Sequence, residues 1–252
     1  MNSPAEIAGI WIENGIKKAG LSIGKMLVLG IMAGAFIGFG SFVFVLATAA
    51  GGDAFQAMMA KLTGAALFPV GLMMVILCGA ELFTGNNLMT LALMDKKISA
   101  ADMLKNWGVV YIGNFIGSLL IAFLFAKSGL LTDAAAERAV AIAGAKTSIP
   151  FMPALIRGVL CNMLVVLACW MQAGSKELIG KIFAIWFPIM LFVFAGFEHS
   201  IANMTYIPMG IFLGADVSWG AMFTANLIPV TIGNLIGGAA LVPLAYYYAY
   251  RK

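Results

Sequence analysis

Three side chains that can exchange protons lie deep inside long apolar stretches of this sequence: Glu81, Glu198 and His199. Titratable groups are costly in such surroundings, so each is a candidate for function. His199 is the only histidine, and an imidazole changes charge near neutral pH, so it can share a proton with a passing weak acid. For the glutamates we favour a structural role, either accepting hydrogen bonds from freed backbone amides or holding a neighbouring half of the molecule.

Other polar residues accompany these three. Thr84 follows Glu81 in the segment ELFTGNN, and its hydroxyl and nearby free N–H groups are candidate ligands for an anion. An asparagine lies five residues after each glutamate, at Asn86 and Asn203, and both are expected to be structural polar groups. Lys146 lies between two apolar stretches, where the residues alone indicate a solvated loop lysine.

Apolar residues near these polar groups are candidates for a constriction. Taken singly, each is explained by packing, but apolar rings are also a common way to gate a pore. The candidates are Phe68, Leu72, Leu82, Phe83 and Phe192.

The composition restricts the class of protein that can position these residues. Of 252 residues, 62% are hydrophobic and 10% charged, too apolar for a soluble or a disordered chain. The apolar runs are long and continuous, which excludes the alternation of an outer-membrane barrel and favours helices. The net charge of +4 fits the basic loops of a membrane protein better than nucleic-acid binding. The three cysteines form no CxxC pair, so we expect no disulfide framework, metal site or cofactor.

The charge-free stretches predict six transmembrane helices. They are 26–50, 62–94, 107–126, 158–174, 182–214 and 217–250. The second and fifth are too long for one crossing, since 33 helical residues span about 50 Å. Each contains a Phe-Pro pair and a glycine shortly before its glutamate, so we predict two broken helices. Irregular backbone at membrane depth is tolerated only within protein or along a cavity, so the breaks indicate a pathway.

An internal repeat relates the two halves. VYIGNFIG at 110–117 matches VTIGNLIG at 230–237 in six of eight positions. The glycines are explained by close helix packing, but Asn114 and Asn234 need a partner or a pore. Because the repeat is three spans long, the second copy is inverted, which places a substrate site at the broken helices. We expect one membrane domain, 1–252, with an amphipathic surface segment (1–24), a first repeat (25–127) and a second repeat (150–250).

The basic residues predict the orientation. Ten Lys and Arg lie on the side of the termini and five on the other. The more basic side faces the cytoplasm, so we expect a multi-pass protein of the cytoplasmic membrane with both termini inside.

Four segments carry a resemblance to a known family. AELFTGN at 80–86, KNWGVVYIGNFIG at 105–117, GFEHSIANM at 196–204 and NLIPVTIGNLIGG at 226–238 resemble the signatures of the formate/nitrite transporter family, in the order that this family shows. The resemblance implies an aquaporin-like fold without the NPA motifs, and a homopentamer with one pore in each protomer. It implies small monovalent anions of weak acids as substrates, and we favour the hydrosulfide or formate-like branch.

The resemblance also implies roles for single residues. Thr84 would lie on the loop of the broken second span, and His199 would be the central pore histidine. Asn162, in GVLCNMLV, and Asn234 would line the pore beside it. Lys146 would be the vestibule lysine, in place of the solvated lysine inferred above. The five apolar candidates match constriction positions.

These residues support a hypothesis for transport. A bare anion is too costly to bury in a dry constriction, whereas the neutral acid is not. Lys146 would concentrate the anion, which gains a proton from water or His199 and crosses as the acid. The alternatives are an electrogenic anion channel and a neutral-solute pore for water, glycerol or ammonia. An intramembrane enzyme is not expected, because the spans contain no HExxH, no GxSxG and no catalytic aspartate pair.

Overall fold

The computed structural model describes residues 1–251, and every regular element in that range is helical. We number the helices α1 to α12. They are α1 Pro4–Ala19, α2 Ile23–Ala47, α3 Ala54–Leu67, α4 Val70–Cys78, α5 Phe83–Asn86, α6 Thr90–Met94, α7 Ala100–Lys127, α8 Asp133–Thr147, α9 Phe151–Gly174, α10 Leu178–Ala195, α11 Ser200–Phe212 and α12 Trp219–Arg251. A 3₁₀ turn, Asn87–Met89, links α5 to α6, and α12 contains two π-helical segments, Met222–Leu227 and Ile236–Leu241.

Six helical segments are long and apolar enough to cross a membrane, which confirms the predicted number of spans. They are α2, α3 with α4, α7, α9, α10 and α12. Large apolar side chains on these helices point outward, such as Ile112, which is 57% exposed, and Phe187, which is 63% exposed. An apolar surface of this kind is stable against lipid rather than water.

The breaks in the second and fifth spans lie at glycines. Gly79 ends α4 with φ 81°, and Gly196 ends α10 with φ 78°. Both angles are left-handed, a conformation that glycine adopts without the steric cost of a Cβ. The prolines do not make the breaks: Pro188 lies inside the continuous helix α10, and Pro69 only interrupts the hydrogen bonding between α3 and α4.

The chain after each break returns as a short half-helix. The second span ends at Cys78, and α5 begins at Phe83, whereas the sequence predicts an apolar span to residue 94. In the second half, α11 begins directly after His199. Both half-helices are almost completely buried, so the irregular backbone is enclosed by protein, as it must be at membrane depth.

Two further helices precede the repeats in equivalent places. α1 begins with a Ser3–Glu6 capping box, whose hydrogen bonds lower the pKa of the Glu6 carboxyl. Its apolar face, including Trp11 and Ile12, is buried against the protein, so α1 covers one end of the molecule rather than lying only on the membrane surface. At the other end α8 is packed against α11.

Glycines bring the spans of each repeat into close contact. A Cβ at Gly117 would collide with the carbonyl oxygen of Ile31 on α2, and one at Gly237 with that of Val159 on α9. The packing role of these glycines therefore agrees with the small-residue interpretation of the GNxxG segments. The first and third spans, and the fourth and sixth, form the two equivalent walls that hold the broken helices.

Candidate transport site

Two cavities approach each other from opposite ends of the helical bundle. One has a volume of about 120 Å³ and is lined by Lys146, Glu198 and His199; we call it the Lys146 vestibule. The other has a volume of about 230 Å³ and is lined by Lys18 and Glu81; we call it the Lys18 vestibule. A central cavity of about 10 Å³ lies between them, which is close to the minimum for a single water molecule.

The walls of the central cavity are seven apolar side chains and His199. It shares Phe68, Phe192 and His199 with the Lys146 vestibule. It shares Leu72 and Leu82 with the Lys18 vestibule. The structure therefore brings together four of the five predicted constriction residues. They form two apolar pairs, Phe68 with Phe192 and Leu72 with Leu82, on either side of the small cavity, and we call these pairs the apolar gates. The rings of Phe68 and Phe192 meet edge to face, with centroids 5.7 Å apart.

Phe83 lies elsewhere, which corrects the prediction for this residue. Its ring contacts Tyr111, with centroids 4.9 Å apart, and Trp107, at 6.3 Å. It lines a separate apolar cavity between α7 and α12 and not the central one. Phe83 is the first residue of α5 and Leu82 directly precedes it, so the two neighbours face different sides of the half-helix.

His199 and Thr84 are joined across the two halves. The Nε2 atom of His199 lies 2.8 Å from Oγ1 of Thr84, and its Nδ1 accepts a hydrogen bond of 3.1 Å from the backbone N–H of Ala202. Because Nδ1 is an acceptor, we assign the imidazole proton to Nε2, which donates to Thr84. A proton on Nδ1 would remove the bond that caps α11. The hydroxyl hydrogen of Thr84 remains available for donation to another group.

Lys146 forms an ion pair with Glu198. Its Nζ donates to both carboxylate oxygens at 3.0 Å, and the two side chains are 16% and 5% exposed. Lys146 lies in the last turn of α8 and so not in a loop, and its side chain is mostly buried. Asn203 donates to the same carboxylate at 2.6 Å. The lysine therefore lines the vestibule as predicted from the resemblance, but its charge is balanced.

Lys18 occupies the equivalent position in the other half. Its Nζ donates to Glu81 at 2.6 Å, and Asn86 donates to the same carboxylate at 2.7 Å. Sequence reasoning missed this residue. The signal was present, because Lys18 and Lys146 are 128 positions apart, the same shift that relates LVLGIMAG in the first span to LIRGVLCN in the fourth.

The predicted role of the two glutamates is only partly right. Neither carboxylate accepts a hydrogen bond from a backbone amide of the broken segments among the residues described. Each instead binds a lysine from the surface helix of its own half, so the carboxylates hold that helix in place and not the other half of the molecule. Asn86 and Asn203 support the carboxylates, as expected for structural polar groups.

Asn114 and Asn234, rather than the glutamates, accept hydrogen bonds from the backbone amides that the breaks leave free. Oδ1 of Asn114 accepts from the N–H of Phe83 at 2.9 Å, and Oδ1 of Asn234 accepts from that of Ser200, also at 2.9 Å. Nδ2 of Asn234 donates to the carbonyl oxygens of Gly158 and Glu198. All three polar positions of the side chain are thus used within the protein, and Asn234 braces the break. Asn234 is not among the residues that line the two vestibules or the central cavity, and its contact with a substrate stays a prediction.

Asn162 is buried beside the first half-helix. Its Nδ2 donates to Oδ1 of Asn87 at 2.7 Å and to the carbonyl oxygen of Asn234 at 2.8 Å. Its Oδ1 has no hydrogen-bond partner among the described residues. It lies near the Thr84 backbone, with 3.4 Å from Nδ2 to the carbonyl oxygen, and contact with a substrate stays a prediction.

The same donors do not form a metal site. Within residues 1–251 no three His, Cys, Asp or Glu side chains cluster in a way that could hold a metal ion. The polar groups of the site are two lysine–glutamate pairs, asparagine braces and one histidine–threonine bond. Such a set can hold and hydrogen-bond a small solute, but offers no activated nucleophile.

The chain is similar to known transport proteins over nearly its whole length. A sequence model of the formate/nitrite transporter family matches residues 5–248. The chain is 40% identical to the formate channel BtFdhC of Bacillus thuringiensis, over 100% of this chain and 96% of that one. It is 38% identical to the formate channel FocA of Escherichia coli K12, over 99% and 94%. The chain belongs to the formate/nitrite transporter family.

A solved structure supports the same assignment. A pentameric formate channel with formate bound is superposable with a TM-score of 0.80 and 33% identity, covering 91% of this chain and 98% of that chain. The predicted family and the predicted fold, two inverted three-helix repeats with broken second and fifth helices, are confirmed. Members of the family are channels and transporters, so this chain is a multi-pass membrane channel and not an enzyme.

Proposed function

We propose that this channel carries formate, or a similarly small anion of a weak acid, and that the substrate passes the apolar gates as the neutral acid. The relatives are named formate channels, which favours formate over nitrite and hydrosulfide. The observation that carries the proposal is the central cavity, whose lining is seven apolar residues and a single polar one.

The apolar lining makes the passage of a charged substrate costly. An unpaired carboxylate moved into apolar surroundings loses hydration worth up to tens of kcal/mol by Born arguments. The lining of the central cavity offers one imidazole, which is bonded to the buried Thr84 hydroxyl. The charges of Lys18 and Lys146 are already balanced by Glu81 and Glu198. Formic acid, the neutral protonated form of formate, avoids most of this penalty and can still hydrogen-bond to Thr84.

The source of the proton follows from the hydrogen bonds of His199. Its Nδ1 caps α11, and its Nε2–H is directed to Thr84. A neutral imidazole N–H is a poor acid, and charging the ring would break the cap. We therefore propose that the anion takes its proton from water in a vestibule, and that His199 orients the Thr84 hydroxyl rather than donating the proton.

Proteoliposomes with a trapped pH indicator test this function. An inward formate gradient should acidify the lumen with one proton for each formate, with no dependence on membrane potential. Empty liposomes measure the background from diffusion of the free acid. Formate current in a planar bilayer, with a reversal potential that follows the formate gradient, would instead establish electrogenic anion transport. Flux of glycerol or ammonia without formate flux would establish a neutral-solute pore.

We also propose that the protein is a homopentamer in the cytoplasmic membrane. The support is the neighbouring structure of a pentameric formate channel and the exposed apolar residues on α7 and α12, including Leu104, Ile112 and Ile232. Native mass spectrometry in a mild detergent should give five copies of the chain. A monomer in detergent and in nanodiscs would contradict this.

A further inference from the structure

The Lys146 vestibule contains a third charged residue, Lys61. It lies on α3, and its side chain is exposed. Its Nζ lies 5.4 Å from the centre of the Phe194 ring, a distance at which an ammonium group is attracted to an aromatic face. This contact places the charge at the vestibule without neutralising it.

Lys61 differs from Lys146 in its partners. Lys146 is bound by both oxygens of Glu198. Lys61 forms no ion pair with a carboxylate in residues 1–251. The charged residues that line the Lys146 vestibule are thus Lys61, Lys146 and Glu198, which leaves one positive charge in excess, and Lys61 carries it.

The opposite vestibule lacks such a charge. Lys18 and Glu81 are the charged residues of its lining, and they form an ion pair. The two ends of the pathway are therefore alike in their buried lysine–glutamate pairs and unlike in net charge. A concave surface with one sign of charge raises the local concentration of counter-ions, so the two mouths treat an approaching anion differently.

We propose that Lys61 is the residue that concentrates small anions in the Lys146 vestibule, a task that the ion-paired Lys146 cannot perform alone. The ligand class is any small monovalent anion, because the interaction is a field and not a shaped contact. The assignment of that anion as a transported substrate rests on the proposed function. Lys61 is accordingly a positioning residue that acts before the apolar gates.

The rate of reaction of a vestibule cysteine with charged reagents measures this field directly. Phe197 is partly exposed and lines the vestibule, so Phe197→Cys provides the probe. Ile142→Cys on α8, also in the lining, provides a second probe should the first variant fail to fold. The parent protein carries alanine at Cys78, Cys161 and Cys169. It is held in nanodiscs of zwitterionic lipid, in which both vestibules are open to reagents.

The readout is the rate of reaction with an anionic reagent divided by the rate with a cationic one. The anionic reagent is 2-sulfonatoethyl methanethiosulfonate, and the cationic one is 2-trimethylammonioethyl methanethiosulfonate. Lys61→Gln should lower that ratio about fivefold at about 10 mM salt, since one charge changes each rate roughly twofold to threefold across several ångströms of water. The difference should vanish at about 1 M salt. Lys127→Gln is the matched control, an exposed lysine outside the vestibule lining, and should leave the ratio unchanged.

Two results would overturn the inference. One is an unchanged ratio in Lys61→Gln at low salt with both probes, and the other is an equal change in Lys127→Gln. Formate flux is measured in parallel in the same variants. If wild-type liposomes carry no formate, the proposed function fails, whereas the reagent ratio still decides whether Lys61 attracts anions.

Discussion

The Thr84–His199 bond makes a prediction at the scale of single residues. Thr84→Val removes the hydroxyl while keeping the shape, so an acid passing the gates loses a donor. A buried hydrogen bond contributes about 1 kcal/mol net, so formate flux should fall about fivefold to tenfold. Thr84→Ser retains the hydroxyl and should transport like the wild type. Equal flux in Thr84→Val and wild type at every pH would exclude this role.

The buried ion pairs allow a second residue-scale prediction. Lys146→Met leaves the Glu198 carboxylate without its cation, and breaking a buried pair from one side costs about 3–5 kcal/mol. The Tm of the purified protein should fall clearly, and the double variant Lys146→Met/Glu198→Gln should recover much of the loss. Lys18→Met with Glu81→Gln repeats the experiment in the other half. A double variant that is no more stable than Lys146→Met would show that the pair contributes little.

At the scale of elements, two glycines allow the cost of a left-handed backbone to be measured apart from the cost of a steric clash between helices. Gly196 has φ 78°, and a Cβ there would meet no atom within 4 Å. Gly196→Ala therefore costs only the left-handed conformation, about 1–2 kcal/mol. At Gly237 a Cβ collides with the Val159 carbonyl oxygen, so Gly237→Ala forces α12 away from α9. Thermal unfolding should show a small loss for Gly196→Ala and a severe one for Gly237→Ala; the reverse order would contradict the packing described.

The spans and the helix breaks could be predicted from the sequence because the residues that signal them have a single structural consequence. Long charge-free runs gave six spans, and the glycine before each glutamate gave the breaks. The sequence could not decide between roles where a side chain had a choice of partners. Asn234 is a polar residue in an apolar span, and either a pore or a brace between helices would explain it. Only its hydrogen bonds to the carbonyl oxygens of Gly158 and Glu198 show that it is a brace.

The contrast between Leu82 and Phe83 shows a similar limit. They are adjacent, and both are buried and apolar, so composition and spacing cannot distinguish the one that faces the central cavity. The direction of α5 after the break decides it. Lys146 was misjudged for a related reason, because the partner that buries it lies 52 positions away at Glu198.

At the scale of the whole molecule, charge predicts which vestibule faces outward. By the order of the spans, nine of the 14 basic residues in 1–251 lie at the end that carries α1 and the Lys18 vestibule, and basic segments remain in the cytoplasm. The Lys146 vestibule, with the excess charge of Lys61, would then face the outside.

Cysteine labelling in whole cells tests that orientation. In a chain without native cysteines, Lys127→Cys should react with an impermeant maleimide in intact cells, because it lies at the end of the Lys146 vestibule by the span order. Lys97→Cys, in the turn between α6 and α7, should react only after the membrane is permeabilised. Both residues are exposed lysines near an end of α7, Lys127 as its last residue and Lys97 in the turn before it, so each controls for the other. The opposite pattern would place the Lys146 vestibule inside, and Lys61 would then collect anions for export.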